Sequence, residues 1–122
     1  MSTSCRIGYL RPDNRVESIY CHWDGYPEGV GQILKDHYTD PEKIEALMRL
    51  GDISRLGYTT EHLPKDWASW EREPERTICY RDRGEVDIDS HIAESEEDYR
   101  DKVKQSSVNY GYLFKDGRWE II

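Results

Sequence analysis

Val108-Asn109-Tyr110-Gly111-Tyr112-Leu113-Phe114, then Lys115-Asp116-Gly117, then Arg118-Trp119-Glu120-Ile121-Ile122: two aromatic-rich runs meet at an Asp-Gly pair. Both residues of that pair tolerate the positive φ of a tight two-residue turn, so the stretch predicts a β-hairpin. Working back along the chain, Cys5 to Leu10 and Val16 to Trp23 have the β-branched and aromatic composition of strands. The turn cluster Arg11-Pro12-Asp13-Asn14-Arg15 separates them, which predicts a second hairpin. A two- or three-residue loop fits equally well there, so the register stays open. Thr77 to Tyr80 reads as a central strand, and Val86 and Ile88, alternating with acids, as a short edge strand.

Helical patterns fill the space between. Pro27 to His37 places Val30, Ile33, Leu34 and His37 on one face, with proline at a favourable first position. Asp40 can cap a second helix opened by Pro41, striped by Ile44, Leu47 and Met48 and closed at Gly51. Asp52 to Gly57 reads as one more short turn. Ser95-Glu96-Glu97-Asp98 resembles a helix start, with the helix running to Gln105 and Tyr99 and Val103 inward. The expected fold class is α+β: an antiparallel sheet of the N- and C-terminal hairpins plus a central strand, with two to three helices on one face. Residues 1–122 fit one domain, with 58–76 as a surface excursion around Trp67 and Trp70; loops of this length are often functional.

Composition narrows the function classes. Apolar residues are 36% and charged residues 34% of the chain, so nine Tyr and four Trp must supply much of the core, many at its boundary with the polar atom near water. The net charge is −8, which argues against direct nucleic-acid binding. Residues 82–101 hold nine acids against Arg83 and Arg100, a balance of −7. That segment is either a solvated helix face with its approach loop or a patch that meets a basic partner, through Glu94, Glu97 and Asp101. No stretch reaches the ~20 apolar residues that span a bilayer. Met1 to Arg6 has no apolar leader, and three Cys cannot all pair within one chain, so the expectation is a cytoplasmic protein with reduced thiols.

Cys21-His22-Trp23-Asp24-Gly25-Tyr26-Pro27-Glu28-Gly29-Val30-Gly31 is the densest constellation. His22 and Asp24 would share a face of a strand. Gly29 and Gly31 sit at a helix start, where backbone N–H groups can meet a phosphate, or where bare backbone can pack against a strand or ring. The run matches neither a Walker loop nor the dinucleotide fingerprint. Arg81 and Arg83, at a strand end, could grip a carboxylate or phosphate, or pair locally with Asp82, Glu85 and Asp87. No metal-ligand spacing occurs among Cys21, His22, Asp24, His37, His62 and His91, so no metal or cofactor is expected. His22 cannot easily activate adjacent Cys21 from the opposite strand face; Cys5 or Cys79 with a distant His stays open.

The run Tyr20 to Gly31 resembles a signature, H-W-D-G-Y-P-x-G-x-G, of a family of short proteins encoded by phages, prophages and plasmids. Tyr38-Thr39-Asp40-Pro41-Glu42-Lys43, Leu50 to Gly57, Tyr80 to Glu85 and Tyr110 to Trp119 fit the same family pattern; the likeness weakens over 58–76 and 86–105. The resemblance implies an accessory protein of a mobile element acting in a bacterial cytoplasm, and carries no residue roles. The leading expectation is therefore a non-enzymatic protein that binds or inhibits a host protein, one that itself handles nucleic acid being a fitting target, through Glu94, Glu97, Asp101 or the Trp67/Trp70 excursion. One alternative is a binder of a small phosphorylated ligand such as a nucleotide signal, through His22, Asp24, Gly29, Gly31, Arg81 and Arg83. Another is a small hydrolase using His22 and Asp24.

Overall fold

Alternation along the first strand sets the architecture. In β1 (Cys5–Leu10), Cys5, Ile7 and Tyr9 join one buried cluster, while Gly8, on the other face, lies under the ring of Tyr99. The computed structural model describes residues 3–62 and 75–122; Trp67, Trp70 and most of the expected excursion lie outside them. β1 pairs antiparallel with β2 (Val16–Cys21), from Cys5 opposite Cys21 to Leu10 opposite Val16. The turn between them uses Asn14 at φ 68°, a conformation asparagine tolerates. β6 (Tyr110–Lys115) and β7 (Arg118–Ile121) form the C-terminal hairpin, with Asp116 at φ 55° and Gly117 at φ 79°, as a turn of type I′ requires.

The remaining strands are short: β3 (Ile53–Arg55), β4 (Ile78–Cys79) and β5 (His91–Ala93). The sheet runs β4-β3-β2-β1-β6-β7, and β5 pairs with the first half of β2. The class is α+β, as the sequence predicts, but the sheet is mixed, because β1–β6 and β2–β3 are parallel. Helices account for the difference, since parallel strands need a crossover of a dozen or more residues. A π-helical turn (Pro27–Gly31), α1 (Gln32–His37) and α2 (Pro41–Leu50) bring the chain from β2 back to β3 in the same direction. α3 (Glu96–Gln105) does the same between β5 and β6, over the opposite face.

So α3 does not share a face with the first two helices, contrary to the expected single helical layer. Val30, Leu34, Ile44, Leu47 and Met48 pack with Ile7, Ile19 and Ile53 on one side. Tyr99 packs with Val16 and Leu113 on the other. The caps stand where the sequence puts them: the Asp40 carboxylate accepts from Glu42 N at 3.0 Å, and Ser95 Oγ from Asp98 N at 3.1 Å. Two further readings change. Asp52 to Gly57 contains β3 rather than a bare turn, and the edge strand is His91–Ala93, leaving Val86 79% exposed in a loop.

Tyrosine fills more of the interior than a boundary role allows. Tyr38, Tyr99 and Tyr112 are fully buried because each hydroxyl donates to a backbone carbonyl, of Gly57 (2.8 Å), Tyr112 (2.7 Å) and Gly25 (2.7 Å) respectively. No helix among the described residues is long and apolar enough to cross a membrane.

Candidate functional site

The strand-to-helix segment at the end of β2 is held on every side. His22 N and Trp23 N donate to the carbonyls of Ile53 and Ser54, extending the β2–β3 contact. His22 Nδ1 lies 2.7 Å from the Tyr20 hydroxyl, and its ring meets Trp23 edge-on at 4.8 Å. Asp24 turns the chain at φ 58°, and its carboxylate lies 3.7 Å from Arg55 Nε. The amides of Gly29 (2.9 Å), Val30 (2.8 Å) and Gly31 (3.4 Å) all donate inward, to the carbonyls of Tyr26, Asp24 and Tyr26. A side chain at Gly31 would press on the Tyr112 ring at 3.2 Å, and one at Gly29 would run into the Asp24 carbonyl. Close packing therefore accounts for both glycines.

Arg81 and Arg83 lie elsewhere. Cys21, Ile53 and Cys79 form one row across the sheet. β2 leaves that row toward His22, whereas β4, antiparallel to β3, leaves it the other way into a 3-10 turn (Tyr80–Arg83). The glycine segment and the arginine turn thus diverge. Arg81 is exposed on its turn.

What the turn does assemble is a trio that sequence spacing does not announce. Gly57 to His62 runs beside Glu75 to Thr77, joined by Thr59 N to Glu75 O (2.8 Å), Thr77 N to Glu61 O (2.7 Å), Thr77 Oγ1 to Thr59 O (2.7 Å) and Gly57 N to Thr77 Oγ1 (3.0 Å). His62 bridges to Thr77 at the end of this ladder. Its Nδ1 meets Asp82 Oδ2 at 2.7 Å, and donor atoms of His62, Cys79 and Asp82 all lie within 4.8 Å of one another. Burial, with the Asp82 carboxylate adding to it, pushes the Cys79 thiol up to about 12, so at neutral pH it is not a thiolate nucleophile.

The opposite face of the sheet carries a second polar group. Arg6 is buried beneath α3; its Nε donates to Ser18 Oγ at 2.9 Å, and its Nη2 has no hydrogen-bond partner among the described residues. Burial lowers the guanidinium from its ordinary value, opposed by the charge of Asp52. Asp52 accepts from Tyr20 N at 2.9 Å, and burial raises its carboxyl. His91 is lowered by burial and by the charges of Arg6 and Lys102. Near the β1–β2 turn, a groove of about 250 Å³ is lined by Tyr9, Arg11, Pro12, Glu17, Glu45 and Arg49.

The acidic segment faces water. Glu94, Glu97 and Asp101 are exposed, as are Asp87, Asp89 and Asp98. Within it stand Val86, 79% exposed, and Ile92, 40% exposed on β5. Glu96 is held by Arg100 at 2.9 Å and Lys115 at 2.8 Å, and Asp82, at the segment's start, by His62. Compared with known proteins, the chain matches no family model, no curated protein and no solved structure.

Proposed function

We propose that this is a non-enzymatic accessory protein of a mobile genetic element, acting in a bacterial cytoplasm, that binds a basic surface of a host protein through its acidic face. The observation that carries the reading is the apolar pair Val86 and Ile92 standing exposed inside a segment of charge −7. Charge alone on a helix is a solvated surface; charge around exposed aliphatic side chains is the pattern of a rim around an apolar contact. A host protein that binds nucleic acid through lysines and arginines supplies the complementary charge, and occupying that surface blocks it.

A phosphorylated small ligand is served less well. The amides of Gly29, Val30 and Gly31 are spent within the turn, and Arg81 leaves the sheet on the other side of the Cys21–Ile53–Cys79 row. The test uses capture from a bacterial lysate, followed by purification of the captured protein and measurement of its association rate at two ionic strengths. Glu94→Gln/Glu97→Gln/Asp101→Asn is expected to slow association at low salt by about tenfold or more and to flatten its salt dependence. Val86→Ser/Ile92→Ser is expected to speed dissociation. Unchanged rates in both variants overturn the reading.

A further inference from the structure

We propose that His62, Cys79 and Asp82 form a binding site for a transition-metal dication of the zinc class. The site takes Asp82 from the end of the 82–101 segment but uses none of Val86, Ile92, Glu94, Glu97 or Asp101, so its test is separate from that of the docking reading.

Three observations carry it. One nitrogen, one sulfur and one oxygen donor already lie within 4.8 Å of one another. Tetrahedral zinc with these donors sets them roughly 3.4–3.8 Å apart. The 2.7 Å His62–Asp82 contact opens by less than about 1 Å on binding, and no separation has to close by more than about 1 Å. Second, the backbone presents the donors from fixed positions. Cys79 is the last residue of β4 and precedes the 3-10 turn that carries Asp82, while four hydrogen bonds join the Gly57–Glu61 segment, which leads into His62, to Glu75 and Thr77. Third, exposure is graded: Cys79 is fully buried, the Asp82 side chain is 11% exposed and the His62 side chain 37% exposed. The thiol forms the floor and the imidazole the open side, which gives an ion a path in and leaves a fourth position to water.

The donor set selects the metal. Thiolate and imidazole favour zinc, cobalt or nickel over calcium and magnesium, which take oxygen ligands. On binding, the Cys79 S–H bond breaks, a metal–sulfur bond forms, and the proton leaves to buffer. The residues are 17 and 3 apart in sequence, from His62 to Cys79 and from Cys79 to Asp82, and match no zinc-finger spacing.

The experiment titrates the metal-free full chain with Zn²⁺ alone by calorimetry, and with Co²⁺ by absorption. One ion per chain is expected, with a thiolate-to-cobalt charge-transfer band in the near ultraviolet and a rise in melting temperature with Zn²⁺. His62→Gln and Asp82→Asn should each weaken Zn²⁺ by more than about tenfold while keeping the far-ultraviolet circular dichroism of the parent. Cys79→Ser should abolish the cobalt–thiolate band; if that buried substitution unfolds the chain, the other two variants decide. Absence of a bound ion at micromolar Zn²⁺, or parental affinity in both His62→Gln and Asp82→Asn, overturns the site. A cobalt–thiolate band that survives in folded Cys79→Ser assigns the metal to another cysteine and overturns it equally.

Discussion

Tyr99 donates its hydroxyl proton to the Tyr112 carbonyl at 2.7 Å, with the Arg6 carbonyl 3.2 Å from the same oxygen. The ring lies so close to β1 that a Cβ at Gly8 would come within 2.6 Å of it. One side chain thus joins α3 to both strands of the parallel β1–β6 pair. Tyr99→Phe keeps the ring and removes the bond. It should destabilise the fold by about 1 kcal/mol, read as a lower urea midpoint at unchanged slope. Parental stability would show the hydroxyl to be dispensable.

Gly31 has helical backbone angles, φ −55° and ψ −43°, where alanine normally gains about 1 kcal/mol over glycine. Here the added methyl meets a Tyr112 ring fixed by its own bond to Gly25 O, and overpacking costs about 1–3 kcal/mol. Gly31→Ala should therefore lower the melting temperature. A rise would mean that Tyr112 yields and that packing is not why glycine stands there.

Cys5, Cys21 and Cys79 are buried free thiols, with Cys5 directly opposite Cys21 on the β1–β2 pair. A thiol reagent should react slowly with the native protein and then titrate three groups in denaturant without reductant. Finding a single group would mean that two of the cysteines are bridged.

Glu96 is held below the usual carboxylate range, first by Lys115 and then by Arg100. A carboxyl lowered in the folded state stabilises the protein above its unfolded value, near 4.5, and loses that contribution as pH falls through the lower folded value. Comparing Glu96→Gln with the parent by thermal melts, the parent should be the more stable at neutral pH. The gap should close in acid below the ordinary Glu range and shrink in high salt. A gap independent of pH would remove the ion pairs as its cause.

Elements whose signals are local were legible in the sequence. Asp116-Gly117 carries its turn within two residues, and Asp40 and Ser95 carry their caps within one helical turn. What escaped depends on distant partners. β3 is a strand because Ile53 finds Cys21 beside it, although Asp52-Ile53-Ser54 has turn-like composition. The side of the sheet taken by α3 follows from the bareness of Gly8 and Gly111, which admit Tyr99 and Val103. Nothing in the residues around Arg6 announces its burial, which follows from the helix that covers that face of β1. His62 and Asp82 meet because Thr59 and Thr77 zip two segments together, which no local spacing records.

The parallel seam has a consequence for biosynthesis. Ser4 N donates to Asn109 Oδ1 across 105 residues, and the register from Cys5–Tyr110 to Tyr9–Phe114 begins there. While the chain is being made, β1 can find β2 almost at once, yet its other edge stays unpaired until the 105 residues that separate Ser4 from Asn109, and then β6, have been synthesised. Contacts so far apart along the chain slow folding, and an open strand edge invites pairing with a neighbouring chain. Nascent chains that stop short of β6 should therefore be clients of ribosome-associated chaperones, released only once the final hairpin closes the sheet.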